Sequence, residues 1–249
     1  MSVGPLWERF EIFEALHHTT TIDSPMTSAD LDVVVDMLSP TSGEEVLDLA
    51  CGHGELLRRL RNRAAIRGTG VDLSPWMLQT AQRLSTEQNI DGLRWVLDDA
   101  NRAAATYADR TNITTCLGGS WIWHGFDGTL RTLAQLTAPG GRIAIGDMHL
   151  RDHLDPEVIS KTHGAVESVA ELEASFDAHG LELVGRVNTS DRDWDEYLAG
   201  TRRAARAWAE LHPGERADSF IAEQQQWELD HARDQEILTW SVWVAERRV

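Results

Sequence analysis

Short apolar runs alternate with segments of helical spacing through the middle of the chain. The apolar runs lie at residues 46–50, 70–73, 93–97, 113–117, 142–145, 181–187 and 236–248. Helices are predicted between them, at residues 55–63, 75–88, 129–136 and 167–179. Strands that alternate with helices in this way predict an α/β fold, in which a mostly parallel sheet of seven strands carries helices on both faces.

The two ends of the chain depart from this alternation. Further helices are predicted there, over residues 6–18, 29–38, 194–211 and 220–231. We therefore expect an N-terminal helical cap over residues 1–40 and a sheet domain over residues 41–249, with a lid insertion at residues 190–234. Insertions of this size in α/β enzymes usually form part of a lid or a substrate pocket, and a purely structural flap is the alternative.

The strongest chemical signal is VLDLACGHGELLRRL, in which an apolar strand enters a glycine-rich turn that is followed by a helix. Gly52 and Gly54 permit a tight turn and a close approach of the backbone to a ligand. The helix that follows presents N–H groups at its N-terminus. Asp72 ends the second strand, where an acidic side chain can accept hydrogen bonds from both hydroxyls of a ribose. The sequence thus predicts a ribose-containing ligand. The alternative role for Asp72 is to cap the next helix, a role that Ser74 suits as well.

Two kinds of nucleoside cofactor remain open at this point. A nicotinamide dinucleotide favours a third glycine in the turn, but Leu57 occupies that position. Neither tyrosine of the chain, Tyr107 or Tyr197, stands at short-chain dehydrogenase spacing before a lysine, and the only lysine is Lys161. An NAD(P)-dependent oxidoreductase is therefore the weaker of the two alternatives.

Four segments, VLDLACGHGELL, GVDLSPWML, WVLDDA and TCLGGSWIWHGFDGTLRTLAQLTAPGGRIAIGD, follow one another over residues 45–147. Together they resemble the ordered motifs of class I S-adenosylmethionine-dependent methyltransferases. The segments TSDRDWDEYLAG and TWSVWVAE resemble a poorly characterised bacterial subgroup of that family. The resemblance implies a Rossmann-like sheet, S-adenosylmethionine as cofactor, and a ribose-binding role for Asp72.

The resemblance also implies how the methionine end of the cofactor is held. Asp48 would lie near the methionine part of the cofactor. The backbone at Gly52 and Gly54 would pass against its amino acid and ribose. Leu117 and Gly118 would offer backbone carbonyls to its ammonium group.

The adenine would be bound by the next elements along the chain. Leu73 and Met77 would pack against the ring, although both residues suit a plain core position equally well. Asp99 would accept a hydrogen bond from the adenine amino group, and the Ala100 N–H would donate to the ring. Because the neighbouring Asp98 is also acidic, the adenine ligand is either Asp98 or Asp99.

Methyl transfer does not require a dedicated base, because the cofactor supplies the reactivity and the protein aligns the reactants. Candidate catalytic residues are His124, Asp147 and His149, at the carboxyl ends of strands four and five, where ligands of open α/β sheets bind. Either histidine has a suitable intrinsic pKa of about 6.5, and either can equally be pocket lining or surface.

Aromatic residues provide the candidates for binding the methyl acceptor. The chain has 10 tryptophans, and Trp121 and Trp194 fall in the segments expected to surround the pocket. Their faces can bind planar rings or cations, with core packing as the alternative. His17, in the N-terminal segment, is expected to close over the cofactor unless it is simply an exposed helix end.

The formal charge of −17 disfavours nucleic acid and anionic membranes as partners and suits a neutral or cationic small molecule. Cys51 and Cys116 have no metal-ligand spacing, and no signal peptide is expected, which predicts a cytoplasmic protein without a metal site. We therefore expect a small-molecule methyltransferase; a non-catalytic S-adenosylmethionine-binding regulator is a further alternative.

Overall fold

Seven strands form one sheet in the computed structural model, which describes residues 15–17, 19–107, 110–163 and 167–249. The strands are β1 (Glu45–Leu49), β2 (Arg67–Asp72), β3 (Leu93–Leu97), β4 (Thr111–Leu117), β5 (Thr137–Leu150), β6 (Leu181–Asn188) and β7 (Leu238–Arg247). Their order across the sheet is β3-β2-β1-β4-β5-β7-β6. Neighbouring strands from β3 to β5 are parallel, and β7 runs antiparallel to both β5 and β6.

Helices connect these strands. They are α1 (Ser28–Leu38), α2 (Glu55–Arg63), α3 (Pro75–Glu87), α4 (Ala100–Ala104), α5 (Phe126–Leu136), α6 (Pro156–His163), α7 (Val169–Ala178), α8 (Asp191–Leu211) and α9 (Glu215–Asp234). A 3-10 turn covers Ser120–Trp123, between β4 and α5. In the described ranges, no helix is both long and apolar enough to cross a membrane.

The central strands are buried on both faces, as strands of a parallel sheet covered by helices must be. In β1, Val46 points into a core formed with α1 and α2. Its neighbour Leu47 points to the other face, where α5 and α7 pack. The same alternation occurs in β5, where Ala144 joins the first core and Ile145 the second. The prediction of helices on both faces of a mostly parallel sheet is confirmed.

The structure differs from the sequence prediction at several boundaries. The fifth strand, expected at residues 142–145, extends over Thr137–Leu150. It begins earlier because Thr137 pairs with Thr111 of β4, and it ends later because it pairs with β7 as far as Leu150 opposite Leu238. Helix α6 was not predicted, and α7 begins only after Ser168, whose hydroxyl caps it. Most of the helix predicted over residues 6–18 lies outside the described residues. Within that range only residues 15–17 are described, and they are helical.

The predicted insertion consists of α8 and α9, which lie between β6 and β7. Helix α8 begins at a capping box in which the Ser190 hydroxyl and the Asp193 side chain bond to each other's backbone N–H groups. Residues 15–17 contact this insertion: Leu16 packs with Ala205 and Phe220, and His17 Nε2 lies 2.9 Å from Tyr197 Oη. The N-terminal segment and the insertion are therefore in direct contact.

Candidate active site

A cleft of about 770 Å³ opens at the carboxyl ends of β1, β2 and β4. It lies where the strand order reverses between β1 and β4, the position at which open α/β sheets bind ligands. Residues 21–24, Leu31, the first turns of α2, α3 and α4, and the 3-10 turn after β4 complete its lining. Its volume falls in the range of about 300–1,000 Å³ usual for small-molecule sites.

The turn between β1 and α2 has a backbone that only glycine adopts easily. Gly52 and Gly54 have φ angles of 51° and 70°, in the left-handed region. A Cβ atom on Gly54 would stand 2.2 Å from the Trp95 ring, and one on Gly52 would stand 2.4 Å from Asp23 Oδ2. Gly54 is therefore required by contact as well as by conformation, and a side chain at Gly52 would have to displace the Asp23 carboxylate. Gly52 lines the cleft, and Gly54 lies just beyond it, beneath Trp95.

Asp72 faces the cleft from the end of β2. Its carboxylate accepts hydrogen bonds from the backbone N–H groups of Gly52, at 2.9 Å, and Ser74, at 2.8 Å. The hydroxyl of Ser74 caps α3 through the Met77 N–H. Burial raises the pKa of Asp72, against the effect of these two hydrogen bonds. Because Ser74 serves as the helix cap, the geometry leaves Asp72 suited to a ribose.

Asp48 lies at the base of the cleft, in β1, and is only 4% exposed. The hydroxyl of Thr115, in the neighbouring strand β4, donates a hydrogen bond of 2.6 Å to its Oδ1 atom. Burial raises the pKa of Asp48 to about 7, and the negative charge of Asp72 contributes to the increase. Asp48 therefore titrates near neutral pH, within reach of whatever the cleft binds.

Of the two adjacent acids after β3, Asp99 lines the cleft. Its Oδ1 atom caps α4 by accepting the N–H groups of Asn101 and Arg102. Asp98 instead pairs with the Arg102 side chain, whose hydrogen bond holds the pKa of Asp98 below its usual value. The placement favours Asp99 as the adenine ligand.

Most of the other residues assigned to the cofactor from the sequence also line the cleft: Leu73, Met77, Ala100, Leu117 and Gly118. Trp121, expected to bind the acceptor, stands at the mouth of the cleft with 63% of its surface exposed. An aromatic side chain so exposed beside a cleft is available to contact a ligand.

The three catalytic candidates do not line the cleft. His124 is an exposed residue in the left-handed region, at the end of the 3-10 turn. Asp147, near the C-terminal end of β5, accepts a hydrogen bond from the Met148 N–H at 2.7 Å, and burial raises its pKa. Ser120, whose side chain also bonds to Asp147, precedes Trp121, so Asp147 lies close to the mouth of the cleft without facing it.

His149 requires a correction. The sequence placed it near the acceptor, but it is buried and both ring nitrogens contact groups of the protein. Nδ1 lies 2.8 Å from the Leu150 carbonyl oxygen and Nε2 lies 2.8 Å from the Ser241 hydroxyl. The ring packs edge-on against Trp243, in the core between β5 and β7. Burial lowers the pKa of His149, so the structure assigns it to the core rather than to proton transfer.

Two residues expected at the acceptor site are likewise buried outside the cleft. Trp194 packs in the core between the insertion and the sheet, against Tyr197 and His231. His17 is buried and contacts Tyr197. Trp194 joins the insertion to the sheet, His17 joins the N-terminal segment to the insertion, and neither lines the cleft. Direct contact with the acceptor is therefore not supported for either residue.

Sequence reasoning missed the wall formed by residues 21–24. Asp23 in this wall accepts hydrogen bonds from the His53 ring at 2.9 Å and from the His53 backbone N–H at 3.3 Å. One signal in the sequence was a short polar segment between two predicted helices, which has no periodicity to reveal its partner. A histidine inside the glycine turn was the second, unused hint.

The polar side chains of the cleft distinguish between the two nucleoside cofactors. Five carboxylates line it, those of Asp23, Asp48, Glu55, Asp72 and Asp99, and no Lys, Arg or His of the described residues does. Such a wall repels the pyrophosphate of a dinucleotide and suits a ligand that carries cationic groups. The tight glycine turn and the carboxylate of Asp72 beside it fit an adenosine with an amino-acid side arm. Fold and site thus define a Rossmann-like enzyme that uses a cationic nucleoside cofactor.

Comparison with known proteins identifies the family. A model of the methyltransferase domain matches residues 46–141. The uncharacterised protein YjhP of Escherichia coli is 30% identical over 221 residues, which are 86% of each chain. A methyltransferase from Geobacter sulfurreducens has 29% identity and a TM-score of 0.82, covering 96% of this chain and 98% of its own. One from Thiobacillus denitrificans has 30% identity and a TM-score of 0.81, with full coverage of both chains.

Both crystal structures are complexes with S-adenosyl-L-homocysteine, the demethylated form of the cofactor. The chain belongs to the S-adenosylmethionine-dependent methyltransferases. The predictions of the family, the fold, the enzyme class and the cofactor are confirmed. The roles of individual site residues remain predictions that rest on the geometry described above.

Proposed function

We propose that this methyltransferase acts on a small-molecule acceptor that binds at the mouth of the cleft, between residues 21–24 and Trp121. The observation that carries the proposal is the exposed Trp121 ring beside an acid-lined cofactor cleft. A relative gives independent support for a small acceptor. The 27-O-demethylrifamycin SV methyltransferase of Amycolatopsis mediterranei is 28% identical over 201 residues, which are 77% of this chain and 66% of that protein.

The residues of the cleft bind and orient the cofactor. Asp72 would accept from the ribose, Asp99 and Ala100 would bind the adenine, and Asp48 and the Gly52 backbone would face the methionine arm, since all of these residues line the cleft. When bound, S-adenosylmethionine supplies a methyl group on a sulfonium, which needs no further activation. The remaining task of the chain is to hold the acceptor in line and to keep water out.

The chemistry of the acceptor follows from the charges of the cleft. The lining carboxylates disfavour an acceptor that carries a carboxylate or a phosphate close to the cofactor. They favour a neutral or cationic acceptor, and the flat face of Trp121 favours one with a planar or cationic group. Methyl transfer needs these acceptor groups to be aligned with the sulfonium methyl, and a lining carboxylate such as Asp48 is the group available for any proton removal.

The cover of the acceptor site is formed by two parts of the chain. We propose that the helical cap over residues 1–40 and the insertion over residues 190–234 act together as a lid on the sheet domain. The contact of His17 with Tyr197 and the packing of Leu16 on Ala205 support this arrangement, because they join the two parts to each other.

A metabolite screen tests the proposed function. The enzyme is incubated with S-adenosylmethionine and single acceptors from neutral, cationic and anionic classes, and the release of S-adenosylhomocysteine is measured. Release with neutral or cationic acceptors, together with loss of the turnover in Trp121→Ala, is expected. A matched control is Trp76→Ala, because that tryptophan does not line the cleft. Turnover confined to anionic acceptors would contradict the proposal.

A further inference from the structure

One arginine is buried directly behind the glycine turn of the cofactor cleft. Arg58 is only 1% exposed, and it is buried together with three leucines of the same helix, α2. Its Nη1 atom donates a hydrogen bond of 2.5 Å to the carbonyl oxygen of His53, in the middle of the turn. Its Nη2 atom donates a hydrogen bond of 2.6 Å to Oε2 of Glu55, which lines the cleft. A side chain of the helix therefore reaches back to hold the turn that precedes it.

The peptide group between His53 and Gly54 is consequently fixed at both ends. Arg58 binds its oxygen, and its N–H group donates to the carbonyl oxygen of Cys51 at 2.8 Å. Gly54 has a φ angle of 70°, and because glycine adopts either sign of φ, this peptide group can turn over. In the turned-over state the buried guanidinium would lose one of its partners, which costs free energy. Arg58 thus opposes a flip of the turn.

Stability alone does not account for a guanidinium at this position. Removing a charge from water is costly, and the replacement of buried ion pairs by apolar residues is often neutral or stabilising. Arg58 also leaves its Nε donor without a hydrogen-bond partner among the described residues. Glu55 has a second partner in Arg59, at 2.8 Å, so its carboxylate is paired without Arg58. The feature that only Arg58 provides is the hydrogen bond to the turn.

We propose that Arg58 is a positioning residue for the cofactor, because it locks the glycine turn in the conformation that binds it. Gly52, one residue before His53, lines the cleft, and the close approach of its backbone depends on the shape of the turn. Binding to a turn that is already fixed does not have to order it, so the affinity is higher. The inference rests on the cofactor of the family and is independent of the acceptor.

Calorimetry with S-adenosylmethionine and S-adenosylhomocysteine tests the proposal without an acceptor. Arg58→Met removes both hydrogen bonds and keeps an apolar stem. We expect the dissociation constants of both ligands to rise about tenfold, as for the loss of a hydrogen bond from a charged group. The direction is informative. Removal of a cation from behind an acid-lined cleft should by itself strengthen the binding of the cationic S-adenosylmethionine, so weaker binding points to the geometry of the turn.

Arg59→Met is the matched control for the contact with the turn. Arg59 donates to the same Glu55 side chain at 2.8 Å, and its other hydrogen bonds within the described residues go to Ser28 and Asp32 of α1. Its affinity for both ligands should stay close to that of the wild type. Thermal melting should show that Arg58→Met loses no more stability than Arg59→Met, so a difference in affinity between them cannot come from general destabilisation.

Hydrogen exchange at Gly54, followed by nuclear magnetic resonance, reports on the turn itself. The Gly54 amide should exchange faster in Arg58→Met than in the wild type, because release of the His53 oxygen lets the peptide group turn over and leave Cys51. Arg58→Lys keeps the positive charge and a donor. Its affinity for both ligands and its exchange rate at Gly54 should lie between those of the wild type and Arg58→Met.

Two outcomes would overturn the inference. One is an affinity of Arg58→Met for both ligands that equals that of the wild type. The other is an equal loss of affinity in Arg58→Met and Arg59→Met, which would assign the effect to Glu55 or to α2 as a whole.

The variant Arg58→Lys decides the matter if Arg58→Met does not fold. Weaker binding of both ligands with faster exchange at Gly54 would support the inference, and wild-type values of both would overturn it. A wild-type protein that binds both ligands but methylates no small molecule would contradict the proposed function instead, and would leave the role of Arg58 in place.

Discussion

The hydroxyl of Thr115 donates a hydrogen bond of 2.6 Å to the buried carboxyl of Asp48, across the junction between β1 and β4. This is the point at which the strand order reverses and the cleft opens. One hydrogen bond does not compensate for the removal of a carboxylate from water, so the pKa of Asp48 rises to about 7. The base of the cofactor cleft consequently contains a carboxyl group that is half protonated at neutral pH.

Cofactor binding is expected to release a proton from Asp48. The ammonium and sulfonium groups of S-adenosylmethionine favour the ionised carboxylate, so they lower the pKa of Asp48 from about 7. The affinity for S-adenosylmethionine should therefore rise by up to about tenfold between pH 6 and pH 8. At pH 8 Asp48 is already ionised in the free protein, so binding no longer has to remove its proton. Calorimetry in buffers of different ionisation enthalpy measures the proton release directly.

The control for proton release is Asp48→Asn, which cannot ionise but can still accept the Thr115 hydroxyl. Its affinity should be lower than that of the wild type at pH 8 and nearly independent of pH. An equally steep pH dependence in this variant would assign the proton to another group, of which Asp72, with its raised pKa, is the first to examine.

The same carboxyl predicts a gain in stability on mutation. In the native state Asp48 holds its proton up to a pH of about 7, whereas an unfolded Asp releases it near about 3.9. Between these values the native state binds more protons, so stability falls as the pH rises. At pH 8 the free energy of unfolding of Asp48→Asn should therefore exceed that of the wild type by on the order of 2–4 kcal/mol, and the variant should unfold at a higher temperature. At pH 4 the two proteins should unfold at nearly the same temperature. Calorimetric melting at the two pH values decides this.

Asp72 and Ser74 provide a matched pair of variants for the ribose site. Asp72→Ala should weaken the binding of S-adenosylmethionine by about 1.5–3 kcal/mol, because two ribose hydroxyls lose a charged acceptor. Ser74→Ala removes the cap of α3 and should cost about 1 kcal/mol of stability, with a smaller effect on affinity. Titration calorimetry and thermal melting measure the two effects. Equal affinity of Asp72→Ala and the wild type would contradict a role in ribose binding, and the hydrogen bonds of Asp72 to Gly52 and Ser74 would then be purely structural.

The parts of the site that the sequence predicted are those encoded by contiguous residues. A strand, a glycine turn and a helix follow one another at residues 46–60, and together they place Gly52 at the cleft. Asp72 was found because it ends the next strand. In such segments the local conformation determines where the side chain points, so one stretch of chain is sufficient to infer it.

The parts that the sequence missed depend on pairing between distant segments. His149 lies on β5, and its burial results from β7, which returns to β5 after both helices of the insertion. Asp23 meets His53 thirty residues along the chain, and neither residue belongs to a periodic pattern. No local propensity encodes contacts of this kind, because tertiary packing alone brings the partners together.

The contact between His17 and Tyr197 gives a test of the proposed lid. Opening of a cover of this kind costs only part of the total stability, so its amides should exchange faster than those of the sheet. Cofactor binding should slow hydrogen exchange in residues 19–25, which include the cleft wall at residues 21–24, and in residues 190–230, which contact the N-terminal segment. Mass spectrometry of peptides from the free and cofactor-bound protein measures both.

Tyr197→Phe removes the hydroxyl from this contact and should reduce the protection of residues 190–230 while that of residues 45–120 stays the same. The matched control is Tyr107→Phe, whose hydroxyl bonds to Arg94, at the far edge of the sheet from the insertion. Protection that is confined to residues 45–120 in the wild type would contradict the lid, because the cover would then be insensitive to the ligand that it is proposed to enclose.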